Sequence, residues 1–97
     1  MDTVLFAKDF LHPSGVIVDS AELLASAVVE HLRQNDRVGI TMAGMPAVSS
    51  SYFNIVLRRV FEAYGAVALD CLYIASPSPV LRQVFERSRE AARRLAV

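Results

Sequence analysis

The segment from Thr41 to Gly65, with the strand from Arg37 that leads into it, constrains this chain more than any other. It opens with R-V-G-I-T-M, in which apolar and polar residues alternate too weakly for a half-exposed strand. A central strand buried on both faces fits better. Gly44 and Pro46 break the run, and three consecutive serines follow, Ser49, Ser50 and Ser51. From there Phe53, Val56, Leu57, Val60, Phe61 and Tyr64 recur on one face of a helix, with Asn54, Arg58, Arg59 and Glu62 opposite. Gly65 supplies the residue beyond the last turn, as in a Schellman-type stop. A buried strand feeding through a tight connection into a helix is a unit of an α/β sheet, so the rest of the chain has to supply its neighbours.

Upstream, Thr3–Phe6 and Val16–Val18 read as two short strands. His12-Pro13-Ser14-Gly15 between them is turn chemistry, and predicts an antiparallel pair. Asp19 stands three residues before Glu22, the spacing of a capping box, with Val18 and Leu23 as a hydrophobic staple. The helix so begun carries Leu24, Ala27, Val28 and Leu32 on its apolar side, and Asn35 suits the left-handed position that ends it. Downstream, Val67–Ile74 predicts the last strand, with Asp70 either a solvated edge carboxylate or a site carboxylate. Ser78 and Pro79 have the N-cap and N1 signature of a final helix, whose stripe is Leu81, Val84, Phe85, Ser88, Ala92 and Leu95. Glu86 with Arg89 and Glu90 with Arg94 are spaced to pair across one turn. The expected fold is α/β: one domain over residues 1–97, in the order β-β-α-β-α-β-α, with a four-stranded, mostly parallel mixed sheet and three helices.

Composition narrows the function. A chain of 97 residues holds one modest core, yet 54% of it is apolar. Buried parallel strands explain that fraction, and so does a surface reserved for a partner. Lys plus Arg and Asp plus Glu number 10 each, so no net field recruits nucleic acid or anionic lipid. The arginines of the last helix are interleaved with Glu86 and Glu90 and lack stacking aromatics. The apolar runs, broken by Glu30, Arg58, Arg59 and Asp70, fall short of the roughly 20 residues a membrane span needs. The opening residues lack the pattern of a secretion signal, and a single Cys71 forms no internal disulfide, so a cytoplasmic location is expected.

Catalytic constellations are not apparent. The only histidines, His12 and His31, are far apart, and there is no nucleophile elbow, no metal-ligand spacing and no glycine-rich phosphate loop. Neither an enzyme, a metal nor a cofactor is expected. What remains is the serine turn. A helix start leaves N–H groups unpaired and carries partial positive charge, and three hydroxyls stand where one suffices as a cap. Either one serine caps and the others are solvated, or the turn is a place where a phosphoryl group switches binding.

The run Gly39-Ile40-Thr41-Met42-Ala43-Gly44 followed by Ala47-Val48-Ser49-Ser50-Ser51-Tyr52-Phe53-Asn54 resembles the strand-loop-helix of STAS domains, the anti-sigma-factor antagonist type. It is similar above all to the small bacterial STAS-like family of unknown function, which carries a serine pair and an aromatic at this turn. In classical members the turn reads Asp-Ser-Ser-Gly, and one serine is phosphorylated by a kinase of the histidine-kinase-like ATPase fold. The resemblance places Ser50 and Ser51 at the serine pair. Ser49 stands where the acidic residue would be, Tyr52 where the glycine would be, and Thr41 where the STAS-like strand tends to be acidic. It implies a non-catalytic regulatory module that docks a protein partner, a histidine-kinase-like ATPase or a serine kinase, through the Ala43–Asn54 stretch. Gly44, Met45, Val48, Tyr52 and Asn54 would form the contact, joined by Met42 unless it is core, with Ser49–Ser51 the polar or phosphorylated part. The alternatives are a homodimeric or small docking-inhibitor module, supported by the apolar content, and an anion- or nucleotide-binding domain using the same helix start.

Overall fold

The computed structural model describes residues 2–34, 37–45, 50–75 and 78–95. The strands are β1 (Asp2–Phe6), β2 (Arg37–Thr41) and β3 (Leu72–Ile74), and the helices are α1 (Ile17–Leu32), α2 (Ser50–Tyr64) and α3 (Pro79–Leu95). Two 3-10 segments, Ala7–Phe10 and Ala66–Cys71, join them. The described sheet has three strands in the order β1-β2-β3, all parallel. Asp2 faces Arg37 and Phe6 faces Thr41, while Val38 faces Leu72 and Ile40 faces Ile74.

That order decides the layering. Two successive right-handed crossovers that advance in the same direction put their helices on the same side of the sheet. Accordingly α2 lies between α1 and α3 in one helical layer. The core forms where this layer meets Leu5, Val38, Ile40, Leu72 and Ile74, all buried. The helices contribute Leu24, Val28, Phe53, Val56, Leu57, Val60 and Phe85, each fully buried. Phe53 meets Phe85 edge-on at 5.4 Å between ring centroids, which fixes α2 against α3. On the surface, Arg59 of α2 pairs with Glu22 of α1, and Tyr64 donates to the Val29 carbonyl at 3.0 Å.

The expected strand at Val16–Val18 is absent. Val16 is the N-cap of α1, and Ile17 and Val18 are its first two residues. Ser14 decides the outcome, because its hydroxyl accepts from the Val16 N–H at 3.1 Å and donates to the Asp19 carboxylate at 2.8 Å. This local bracket turns the chain into a helix before any strand partner is met, and the three β-branched residues are left exposed. The capping box is corrected too. Asp19 lies inside the first turn, no side chain caps α1, and Glu22 is engaged by Arg59. Leu23, like Val18, is exposed rather than stapled. Asn35 lies outside the described residues.

The last strand is shorter than expected, since Ala66–Cys71 is a 3-10 segment and only Leu72–Ile74 pairs. Gly65 enters this segment at φ 84°, a conformation in which a side chain would be strained. Arg89 of α3 then reaches the turn. Its guanidinium donates to the carbonyls of Leu69 at 3.1 Å and Leu72 at 2.7 Å, and is held by Glu86. Those carbonyls therefore have partners without a ladder. Asp70 is exposed and pairs with Arg93, so it is a surface carboxylate. Ser78 accepts from the Leu81 N–H at 3.3 Å, as its N-cap signature predicts.

Candidate functional site

The serine-bearing helix starts beyond the carboxyl end of the central strand, the side of a parallel sheet on which α/β proteins place their sites. β2 ends at Thr41, whose hydroxyl accepts from the Ala43 N–H at 3.3 Å. The chain then turns, with the Met45 N–H donating to the Met42 carbonyl at 3.0 Å. Gly44 holds the third position of that turn at φ 80°, where glycine is favoured. The Lys8 side chain lies across it, close enough that a Cβ on Gly44 would stand 3.1 Å from Lys8 Cδ. Met42 is core, and Met45 is half-buried against the core.

Ser50 and Ser51 occupy the first turn of α2, and both are exposed. Ser49 and Val48 lie outside the described residues, so their part in the surface is left to the sequence. Asn54 is exposed one turn beyond Ser50, and Arg58 one turn further, so a polar stripe descends the helix. Asn54 and Arg58 also line a groove of about 160 Å³ between α2 and α3, with Phe61, Ser88, Ala91 and Ala92.

Tyr52 overturns one expectation. Its ring is fully buried and packs edge-on against Phe53 at 5.8 Å, so it offers nothing to a partner. The signal was present in the sequence: Tyr52 stands four residues before Val56 and eight before Val60, on the apolar stripe. Its hydroxyl has no hydrogen-bond partner among the described residues. Burial pushes the Tyr52 pKa up to about 12. The accessible surface thus narrows to Gly44, the rim of Met45, Ser50, Ser51 and Asn54.

The remaining reactive side chains do not converge here. His12 belongs to the turn before α1, where its Nδ1 accepts from the Ser14 N–H at 3.0 Å, and His31 lies in the last turn of α1. Cys71 is a half-buried free thiol at the end of the second 3-10 segment. Among the described residues no group of three His, Cys, Asp or Glu side chains could hold a metal ion, and no helix is long and apolar enough to cross a membrane. Sequence reasoning pairs Arg89 with Glu86 but misses its hold on the Leu69 and Leu72 carbonyls, which fastens α3 to the turn before β3, and it misses the exposed sheet residues Val4 and Phe6 and the Tyr73 ring over Gly39. Compared with known proteins, the chain matches no family model, no curated protein and no solved structure.

Proposed function

We propose that this chain is a non-catalytic regulatory domain, STAS-like in fold, that docks a protein partner through the start of α2 and is switched by phosphorylation of Ser50 or Ser51. The observation that carries the reading is the pairing of two exposed hydroxyls on the first turn of α2 with a neighbour, Tyr52, anchored in the core. A phosphoryl group there adds about −1.5 to −2 charge. The helix start favours that charge by roughly 0.3–1 kcal/mol, so the modification reverses the character of the surface without unfolding it. Gly44, the Met45 rim and Asn54 supply the surrounding contact, and the partner is a histidine-kinase-like ATPase or a serine kinase acting in the cytoplasm.

The test is incubation of the full chain with such a kinase and ATP, read by intact mass and peptide mapping. One phosphoryl group at Ser50 or Ser51, lost in the Ser50→Ala, Ser51→Ala double variant, supports the proposal. If that double variant still binds the partner and releases it normally, the serine switch is wrong.

A further inference from the structure

Helices α2 and α3 pack side by side, and the residues that line the groove between them are unequal in size. Asn54, Arg58 and Phe61 follow one another at helical spacing on α2, across from Ser88, Ala91 and Ala92 of α3. Long side chains against short ones leave about 160 Å³ of space. Two of the lining groups have unused bonding capacity. Ser88 is 4% exposed, and its hydroxyl has no hydrogen-bond partner among the described residues. A hydroxyl shut away from water without a partner is unfavourable, so it rewards a ligand that brings a polar atom to it. Arg58 is exposed and forms no ion pair among the described residues. Glu62 stands one turn further along α2, but an acidic residue placed after its cation makes the weaker pair, so Arg58 is left to the groove.

We propose that this groove binds a small aromatic carboxylate carrying a ring hydroxyl. Size selects the body, because a cavity of about 150 Å³ holds a benzene ring. The walls suit it, since Phe61 offers a half-buried ring and Ala91 and Ala92 offer methyl groups. Charge selects the head. One guanidinium fork matches one carboxylate in charge and in geometry, and Asn54, one turn before Arg58 on the same rim, adds an amide donor. A phosphate dianion fits worse, because a single arginine neutralises only part of its charge and most of the remaining wall is apolar. Ser88 selects the ring substituent. Its single side-chain torsion can turn the hydroxyl to a ligand oxygen at the floor.

Size also sets the strength. Asn54, Arg58 and Ala91 are exposed, so the groove is open to solvent along that rim. A ligand of about ten heavy atoms then binds with a dissociation constant on the order of 1 mM. The site does not use the hydroxyls of Ser50 or Ser51, whose modification is read separately by mass, so either proposal can fail alone.

The test is an amide NMR titration of the full chain with meta- and para-hydroxybenzoate, benzoate, benzyl alcohol and inorganic phosphate. Each is taken to about 30 mM at constant ionic strength, a range that brackets the expected constant. One hydroxybenzoate should give saturable shifts confined to the groove residues of α2 and α3, and should bind about fivefold tighter than benzoate. Benzyl alcohol and phosphate should each bind about tenfold more weakly than benzoate, the first for want of charge and the second for want of a ring. Arg58→Gln, at an exposed position, should weaken the hydroxybenzoate about tenfold. Ser88→Ala should erase the preference for hydroxybenzoate over benzoate while leaving the urea midpoint unchanged or raised, which a merely structural serine would not do. Ala91→Leu, also exposed, should fill the groove and abolish binding with the urea midpoint near the wild type. No saturable shift in the groove from any aromatic carboxylate overturns the proposal. So does phosphate binding as tightly as benzoate, or a hydroxyl preference that is absent in the wild type or survives Ser88→Ala.

Discussion

The Tyr73 ring lies so close over Gly39 that a Cβ on Gly39 would stand 2.6 Å from Tyr73 Cζ. The two residues are register partners on β2 and β3, and the missing side chain is what lets the ring lie flat across the sheet. Gly39→Ala should therefore lift the ring, disturb the Arg37 stack, and destabilise the fold by about 1–2 kcal/mol in urea unfolding. The lost contact is shared, so the variant should cost less when Tyr73→Ala is already in place. A double-mutant cycle should report a coupling of about 0.5 kcal/mol or more.

How far the chain was legible follows from particular residues. The helices from Leu24 to Leu32 and from Phe53 to Tyr64 were plain, because their stripes repeat over several turns. Ser78, Glu86 and Arg89 were legible as a cap and a pair, because both are local. Val16–Val18 misled because β-branched residues have strand propensity, which the Ser14 hydroxyl overrides through two hydrogen bonds. Strand order is a tertiary fact, and nothing in the spacing of apolar residues reveals that all three helices share one side. Of the candidate site, the exposure of Ser50, Ser51 and Asn54 followed the helical period, while Tyr52 was assigned by resemblance to the turn rather than by its place on the stripe.

Arg89 should matter more than a surface arginine. Its side chain is 11% exposed and serves two main-chain carbonyls as well as Glu86. Arg89→Ala leaves those carbonyls short of a donor, at an expected cost of about 2–3 kcal/mol. Arg89→Lys should recover only part, since an ammonium cannot reproduce the planar fork. Thermal or urea unfolding of the two variants distinguishes these outcomes.

Tyr52 should make stability fall at high pH. Its folded pKa is raised to about 12, above the ordinary value of 10.0, so the folded state keeps the proton longer than the unfolded one does. The stabilising contribution is complete below the unfolded pKa and is lost as pH rises from there through the folded value. Tyr52→Phe lacks this loss, so the difference in unfolding free energy between wild type and variant should shift by roughly 2 kcal/mol between about pH 9 and about pH 12. At neutral pH the variant should be neutral or slightly stabilised, because the hydroxyl it removes has no partner among the described residues.

Ser78 caps the final helix through the Leu81 N–H. Ser78→Ala should cost about 1 kcal/mol, and Ser78→Asp should retain most of the cap. Urea midpoints together with amide exchange of the first turn of α3 would check both.

The all-parallel ladder also bears on how quickly the molecule assembles. Asp2 meets Arg37 and Val38 meets Leu72, so none of these pairings can zip up from a tight hairpin, and each has to close the loop that holds the intervening helix. Loop closure over such separations comes before any reward from the sheet, which places refolding on the millisecond side of the range for chains of this size.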